Sequence, residues 1–333
     1  MSIQDSLVCA GKNRLALLLG FLLFATVSWS QTYAVFNVPG AVSTDAYGLN
    51  DAGMTTGVYA DAAGKTHSFV RTAAGQIMAF DVPAATTTAA QSINVGGMVT
   101  GYYSNASGTH AFVRTAVGAI SSFDIGLSQY TVAYSINRWG ATAGCYSDAT
   151  GMHGFVRSAS GIVNTFDAPG SAHTVALGIN DDGAAAGYFT DRIGTHGFFR
   201  SAQGAITVFN GLGGAPITYG YSINAGGTVA GQFRDRSGRY YGLVFTPPSG
   251  VVGFYAPGSS FTFAQAINSA GTVSGYYAVS GRILGFLRSA SGTITSFAAP
   301  GANSTQAYTI NTVGAVAGSC VDAAGHHGFV RNP

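Results

Sequence analysis

Five histidines stand at matching places in the 333-residue chain: His67, His110, His153, His196 and His327. Tyr241 and Leu284 occupy the two places between His196 and His327. Imidazoles titrate near neutral pH, so such a set could bind a metal or pass protons. A group that recurs in every copy of a repeat more simply performs one local task each time. The expectation is a hydrogen bond from the start of a strand to a neighbouring loop, with a ligand role second. The adjacent His326-His327 lacks the spacing of helical zinc ligands, and no metal or cofactor is expected.

Six arginines, Arg71, Arg114, Arg157, Arg200, Arg288 and Arg331, lie four residues beyond the histidine position. They are expected to lay their stems along apolar surface. Their guanidinium groups should donate to carbonyls or to an aspartate such as Asp81, Asp124 or Asp167.

Residues that break the repetition are more informative. Copy four carries Arg192 in the turn that follows its second strand. Copy five carries Arg234, Arg236, Arg239, Tyr240 and Tyr241 there, and copy six carries Arg282. The equivalent turns of copies two and three, Asn105 to Gly108 and Asp148 to Gly151, hold no cation. Solvated surface arginines are the plain account. The functional account is a binding patch for an anionic or sugar-like ligand, because guanidinium forks match carboxylate or phosphate and tyrosine faces match sugar rings. The aspartates form no obvious pair of the kind that cleaves glycosidic bonds. No G-x-S-x-G elbow, H-E-x-x-H or phosphate-binding loop is present, so no catalytic residue is assigned.

What must position these residues is a phrase repeated seven times: Ile or Leu, then Asn, with Gly three and seven residues after the Asn. The asparagines are Asn50, Asn94, Asn137, Asn180, Asn224, Asn268 and Asn311. Each copy reads as four short strands, in the second copy about Ala90–Asn94, Met98–Ser104, Thr109–Thr115 and Ala119–Ile125. Asn at the head of a turn and Gly near its end suit the first hairpin. Asp or Asn followed by Gly, as in Asp148 and Gly151, marks the second. Ser158 to Gly161 marks the third, and a longer Pro- and Gly-bearing connection leads to the next copy.

Three tight hairpins and one long connection, recurring at about 40–45 residues, predict an all-β fold, a seven-bladed β-propeller of four-stranded blades. The seventh copy stops at Pro333 before its fourth strand, whereas Tyr33 to Gly40 reads like one. The N-terminal strand is therefore expected to complete the last blade and close the ring, covering an exposed sheet edge.

The phrase A-x-x-I-N-x-x-G-x-x-x-G, followed by H-[AG]-F as in His110-Ala111-Phe112, resembles the bacterial extracellular HAF-repeat family. The third strand then continues F-V-R rather than to a Trp-type ending. The resemblance spans essentially all of the chain after residue 30. It implies export and a repetitive β architecture, and no activity common to the family.

Lys12 and Arg14 precede an apolar stretch from Leu15 to Val27, and Ser28-Trp29-Ser30 follows. This is the pattern of a cleaved secretory signal over residues 1–30; at about 13 residues the stretch is short for a membrane span of about 20. The expected domains are that signal and one propeller over 31–333. Beyond residue 30, 13 of the 15 Lys and Arg and 12 of the 13 acidic residues remain, all of them Asp. Such a balance offers no attraction for nucleic acid or a membrane surface. Cys9 lies in the signal, and Cys145 and Cys320 are expected as free, packed thiols. The functional expectation is a secreted, periplasmic or cell-surface binding module. Its partner would be an extracellular glycan or cell-surface component. The alternative is a polysaccharide-acting lyase or hydrolase on the loop-rich face.

Overall fold

The computed structural model describes residues 31–333; the expected signal and Cys9 lie outside the described residues. Among the described residues there are 28 strands and no helix. High glycine and aromatic content with 8% charged residues favours this outcome, since tight turns and pleated aromatic surfaces are both served.

The third repeat shows the local pattern. Strands Tyr130–Ile136, Thr142–Asp148, Gly151–Arg157 and Val163–Phe166 pair antiparallel in sequence order. A single parallel contact, Met152 beside His173, links the group to the next repeat. The second repeat begins earlier and ends sooner than its sequence suggests, running from Thr87–Ile93 to Ile120–Phe123. Its last strand stops because Asp124 leaves the ladder to accept from a histidine (see below).

The two glycines of the phrase have different duties. Gly140 closes the hairpin at φ +85°, a region that side chains with a Cβ avoid. Gly144 has ordinary backbone angles, but a Cβ there would strike the carbonyl of Val132 on the paired strand. The asparagine is more than a turn former. Asn137 Oδ1 accepts from the amide of Ala141 at 2.9 Å, while its Nδ2 donates to the carbonyl of Asn180 in the next repeat at 3.0 Å. Every copy repeats that donation at 3.0–3.2 Å, and Asn311 donates to Asn50. Seven buried bonds therefore form a cycle that returns to its start.

Packing between repeats is equally regular. Phe69, Phe112, Phe155, Phe198, Phe286 and Phe329 are fully buried on the third strands. Each meets, edge to face, a phenylalanine from the last strand of the repeat before it, as Phe123 meets Phe155 at 6.0 Å. For the first repeat that partner is Phe36, 5.8 Å from Phe69. Phe36 ends the strand Thr32–Phe36, which pairs antiparallel with the C-terminal strand Gly325–Asn332, Tyr33 opposite Arg331. The first strand thus takes the place that a fourth strand of the seventh repeat would have.

Candidate functional site

The histidines act as clasps. His153 Nδ1 sits 2.9 Å from Asp167, at the exit of its own repeat's last strand. Its Nε2 sits 3.1 Å from Asp148, in the turn between the second and third strands. His67 likewise joins Asp81 and Asp61, His110 joins Asp124 and Asn105, and His196 joins Asn210 and Asp191. His327 joins Asp322 to Asn37, again borrowing from the N-terminal segment. Two bonds per histidine were found where one was expected. With both nitrogens engaged, these rings have no lone pair to offer a metal or a substrate. Burial disfavours charge on His67 and His153, but their two carboxylate partners outweigh it, and both are raised above the usual value. Hydrogen bonds from Thr150, with a smaller contribution from His153, hold Asp148 down at about 2.

The strand-end arginines do not reach the aspartates, which the histidines occupy. Arg157 lies 4.4 Å over the ring of Phe123 and donates to the carbonyl of Ser158. Arg71, Arg114, Arg200, Arg288 and Arg331 repeat that stacking at 4.8–4.9 Å. The aspartate is missed because no carboxylate is within reach of a guanidinium laid flat on the ring. An aromatic face takes its place as the counter-charge.

The loop arginines do not converge. Arg239 is clamped between Tyr241 and Tyr255, 5.4 and 4.8 Å from their centroids, and donates to Ser259 O. Arg282 donates to Ala302 O. Arg234 lies over Tyr240 and bonds Gly238 O. Arg192 and Arg236 stand exposed. Arg236 and Tyr241 share an open cleft of about 470 Å³ with Phe233, Tyr255 and Leu212. Tyr240 belongs elsewhere: adjacent strand residues face opposite ways, and its ring meets Phe263 at 5.2 Å.

That second face is a central cavity which sequence reasoning missed. In every repeat the first strand bulges between the residues four and two before the asparagine, for example between Ala133 and Ser135. A bulge leaves one residue unpaired and re-aims its side chain. The seven residues so released are Tyr47, Gln91, Tyr134, Leu177, Tyr221, Gln265 and Tyr308. All seven line one cavity of about 180 Å³. On the side of the asparagines lies a second cavity, about 270 Å³, lined by all seven of them.

Tyr47, Tyr134, Tyr221 and Tyr308 line the first cavity, and from them an aromatic wall continues through neighbouring rings. Tyr47 meets Tyr308 at 5.4 Å, Tyr308 meets Tyr276 at 6.2 Å, and Tyr276 meets Phe263 at 5.4 Å. Phe263 stacks on Phe261 at 4.6 Å, and Tyr219 lies beside Tyr188 and Tyr221. The facing side is filled by Val132, Val175 and Cys145 under Tyr130 and Tyr134. Burial pushes the phenols of Tyr47, Tyr134, Tyr221 and Tyr308 well above their usual range, so they remain protonated donors. Its signal in the sequence was the residue three before each asparagine, which is Tyr in four copies, Gln in two and Leu in one.

The expected thiols are free and buried, with Cys145 pushed up to about 12 and Cys320 to about 11 by burial. Among the described residues no three metal-ligating side chains gather around one point.

No protein-family profile and no curated sequence matches this chain. Its fold is similar to that of virginiamycin B lyase from Staphylococcus aureus, with a TM-score of 0.61 at 13% identity over 90% of this chain and 99% of that one. The β-propeller domain of the trilobed protease from Pyrococcus furiosus matches at 0.62 and 10% identity, over 89% and 94%. Puromycin hydrolase matches at 0.58 and 13%, over 90% of this chain and 54% of that chain. At such identities the likeness defines the fold: an all-β protein of the propeller kind.

Proposed function

We propose that residues 31–333 form one seven-bladed propeller of four-stranded blades, closed where the N-terminal strand completes the seventh blade. The cycle from Asn311 back to Asn50 and the pairing of Tyr33 with Arg331 support closure. We further propose that it is an exported member of the HAF-repeat family, acting as a binding module in the periplasm or at the cell surface, its partner an extracellular glycan.

The observation that carries the binding reading is the convergence of seven bulged side chains on one aromatic-walled cavity. The seven are four tyrosines, two glutamines and a leucine, all long side chains able to reach into the cavity, and six of the seven carry a hydrogen-bonding group. Tyrosine and phenylalanine faces hold the apolar faces of sugar rings, and protonated phenols donate to their hydroxyls. The loop arginines give this reading less support for an anion, since Arg234, Arg239 and Arg282 are each held by a carbonyl. The cleft beside Arg236 and Tyr241 is a secondary subsite in the same proposal. The test is retention on a panel of immobilised glycans by the parent chain and by Tyr134→Ala and Tyr221→Ala. Loss of retention in both variants, with the melting temperature kept, supports the cavity; unchanged retention in both refutes it. Product release from a soluble glycan would favour the enzymatic alternative.

A further inference from the structure

Two residues that break the repetition meet at the junction of the first and last repeats. Asp45 lies five residues before Asn50, where the other six copies have Ala89, Val132, Val175, Tyr219, Phe263 and Gln306. His326 is the residue before the clasp histidine, where other copies have Thr66, Thr109, Met152, Thr195, Tyr240 and Ile283. Although 281 residues apart in sequence, His326 Nε2 lies 3.1 Å from Asp45 Oδ1. Asp45 is the only carboxylate at its position, and it pairs with the only histidine at its position. His327, one residue on, faces the other way into its clasp.

The pair differs from the five clasps in one respect. Asp45 accepts from Nε2–H, and Nδ1 has no partner among the described residues. The carboxylate thus places a proton on Nε2 and raises the ring's pKa above its usual value, so that Nδ1 can accept from a hydroxyl when the ring is neutral and donate to one when it is charged. The same strand that carries Asp45 carries Tyr47, whose ring abuts Tyr308, the start of the aromatic wall. The charge of Asp45 acts on both those phenols. Tyr308 in turn shares its hydroxyl with Ser319 and Gln306 at 3.0 and 3.1 Å. A polar corner therefore adjoins an apolar wall, the layout of a site that orients a ring by its edge.

We propose that Asp45 and His326 anchor the ligand of this cavity, and that the ligand is an uncharged, hydroxyl-bearing ring of the saccharide class. This rests on the binding reading above and narrows it. A ring hydroxyl donates to His326 Nδ1, and Asp45 holds the imidazole in place. An anionic sugar would approach the Asp45 carboxylate, while Arg239 and Arg282 are each held by a carbonyl.

The experiment uses the whole chain and three immobilised probes: neutral oligosaccharides, uronate-bearing ones and glucosamine oligomers. His326→Phe keeps a ring of similar bulk and removes both nitrogens. It should weaken binding to the neutral probe about tenfold or more. Asp45→Asn should weaken it less, since the amide oxygen still accepts from Nε2–H. Both should melt as the parent does. If both variants melt lower yet bind like the parent, the pair is a latch between the first and last repeats and the proposal fails. If Tyr134→Ala and Tyr221→Ala abolish binding while the two seam variants do not, the cavity reading stands and the anchor fails. Preferential retention of the uronate or the glucosamine probe would overturn the assigned ligand class. A parent that retains none of the three overturns anchor and cavity reading together.

Discussion

Compare the clasp of the third repeat with the cavity at the centre. His153, Asp148 and Asp167 recur in position and bonding through most copies, whereas the seven residues released by the bulges change between Tyr, Gln and Leu. One region is built from constant parts doing one local task many times. In the other the backbone device is constant and the side chain is not. A repeat therefore separates its own needs from its function: constancy marks stability, and variation at a fixed geometric position marks the place where specificity can be set. On that basis the histidines, the first residues to suggest chemistry, belong to the scaffold. The tyrosines three before the asparagines belong to the proposed site.

The largest test of the scaffold is removal of the segment Thr32 to Gly40. Its deletion strips Tyr33, Phe36 and Val38 from the last sheet, each contributing about 1.5–3 kcal/mol when buried. Against a total of about 5–15 kcal/mol, folded monomer should be scarce by size exclusion. A truncated chain that melts cooperatively at the parent temperature is the outcome that sinks closure.

A single atom comes next. Asn180→Asp keeps the oxygen that caps its own turn at Ala184 but loses the donor to Asn224. A buried carboxylate would then face a carbonyl, and denaturant unfolding should show a loss of about 1–3 kcal/mol. No loss would mean that the cycle of amides is incidental.

Two arginines sharpen the same contrast. Arg114 is 7% exposed and stacked on Phe80, and Arg114→Ser should cost about 1–2 kcal/mol. Exposed Arg236 changed to Ser should stay within about 0.5 kcal/mol. Equal effects in the two variants would erase the distinction between scaffold and surface.

Titration gives a smaller effect with a definite sign. His67 and His153 are raised above 6.5, so their contribution is full below that value and fades as pH rises through the folded pKa. The Thr150 hydroxyl holds Asp148, and histidine or backbone partners hold Asp61, Asp191 and Asp322, below 3.8, so their contribution is full above that value and fades as pH falls. Melting temperature should therefore peak between these two values. His67→Leu with His153→Leu should flatten its fall on the alkaline side. An unchanged alkaline slope in that double variant would show that the clasps do not set it.

The thiols should change nothing until the fold opens. Cys145 and Cys320 should be silent to a thiol reagent in the native chain and both react after denaturation without reductant. Recovery of only a disulfide would contradict their separate, buried places.

The sequence by itself determined the strands, the hairpins and the spacing of repeats, because these follow from local rules: glycine at positive φ, asparagine at a turn, alternation along a strand. It also likened Tyr33 to Gly40 to the last strand of a repeat, and Thr32–Phe36 does pair with Gly325–Asn332. For the strand-end arginines it anticipated donation to carbonyls but offered an aspartate where a phenylalanine ring from another repeat is stacked, since that choice depends on which group the histidine has already taken. It grouped Tyr240 with Tyr241 on proximity, and the pleat sends their rings to different sites. The bulge that aims Tyr47 and Tyr308 inward, and the meeting of Asp45 with His326, were decided only by tertiary structure. The odd Ala-x-x-Ile spacing hints at a bulge but not at where its residue is aimed, and a contact across 281 residues exists only once the repeats have come together in space.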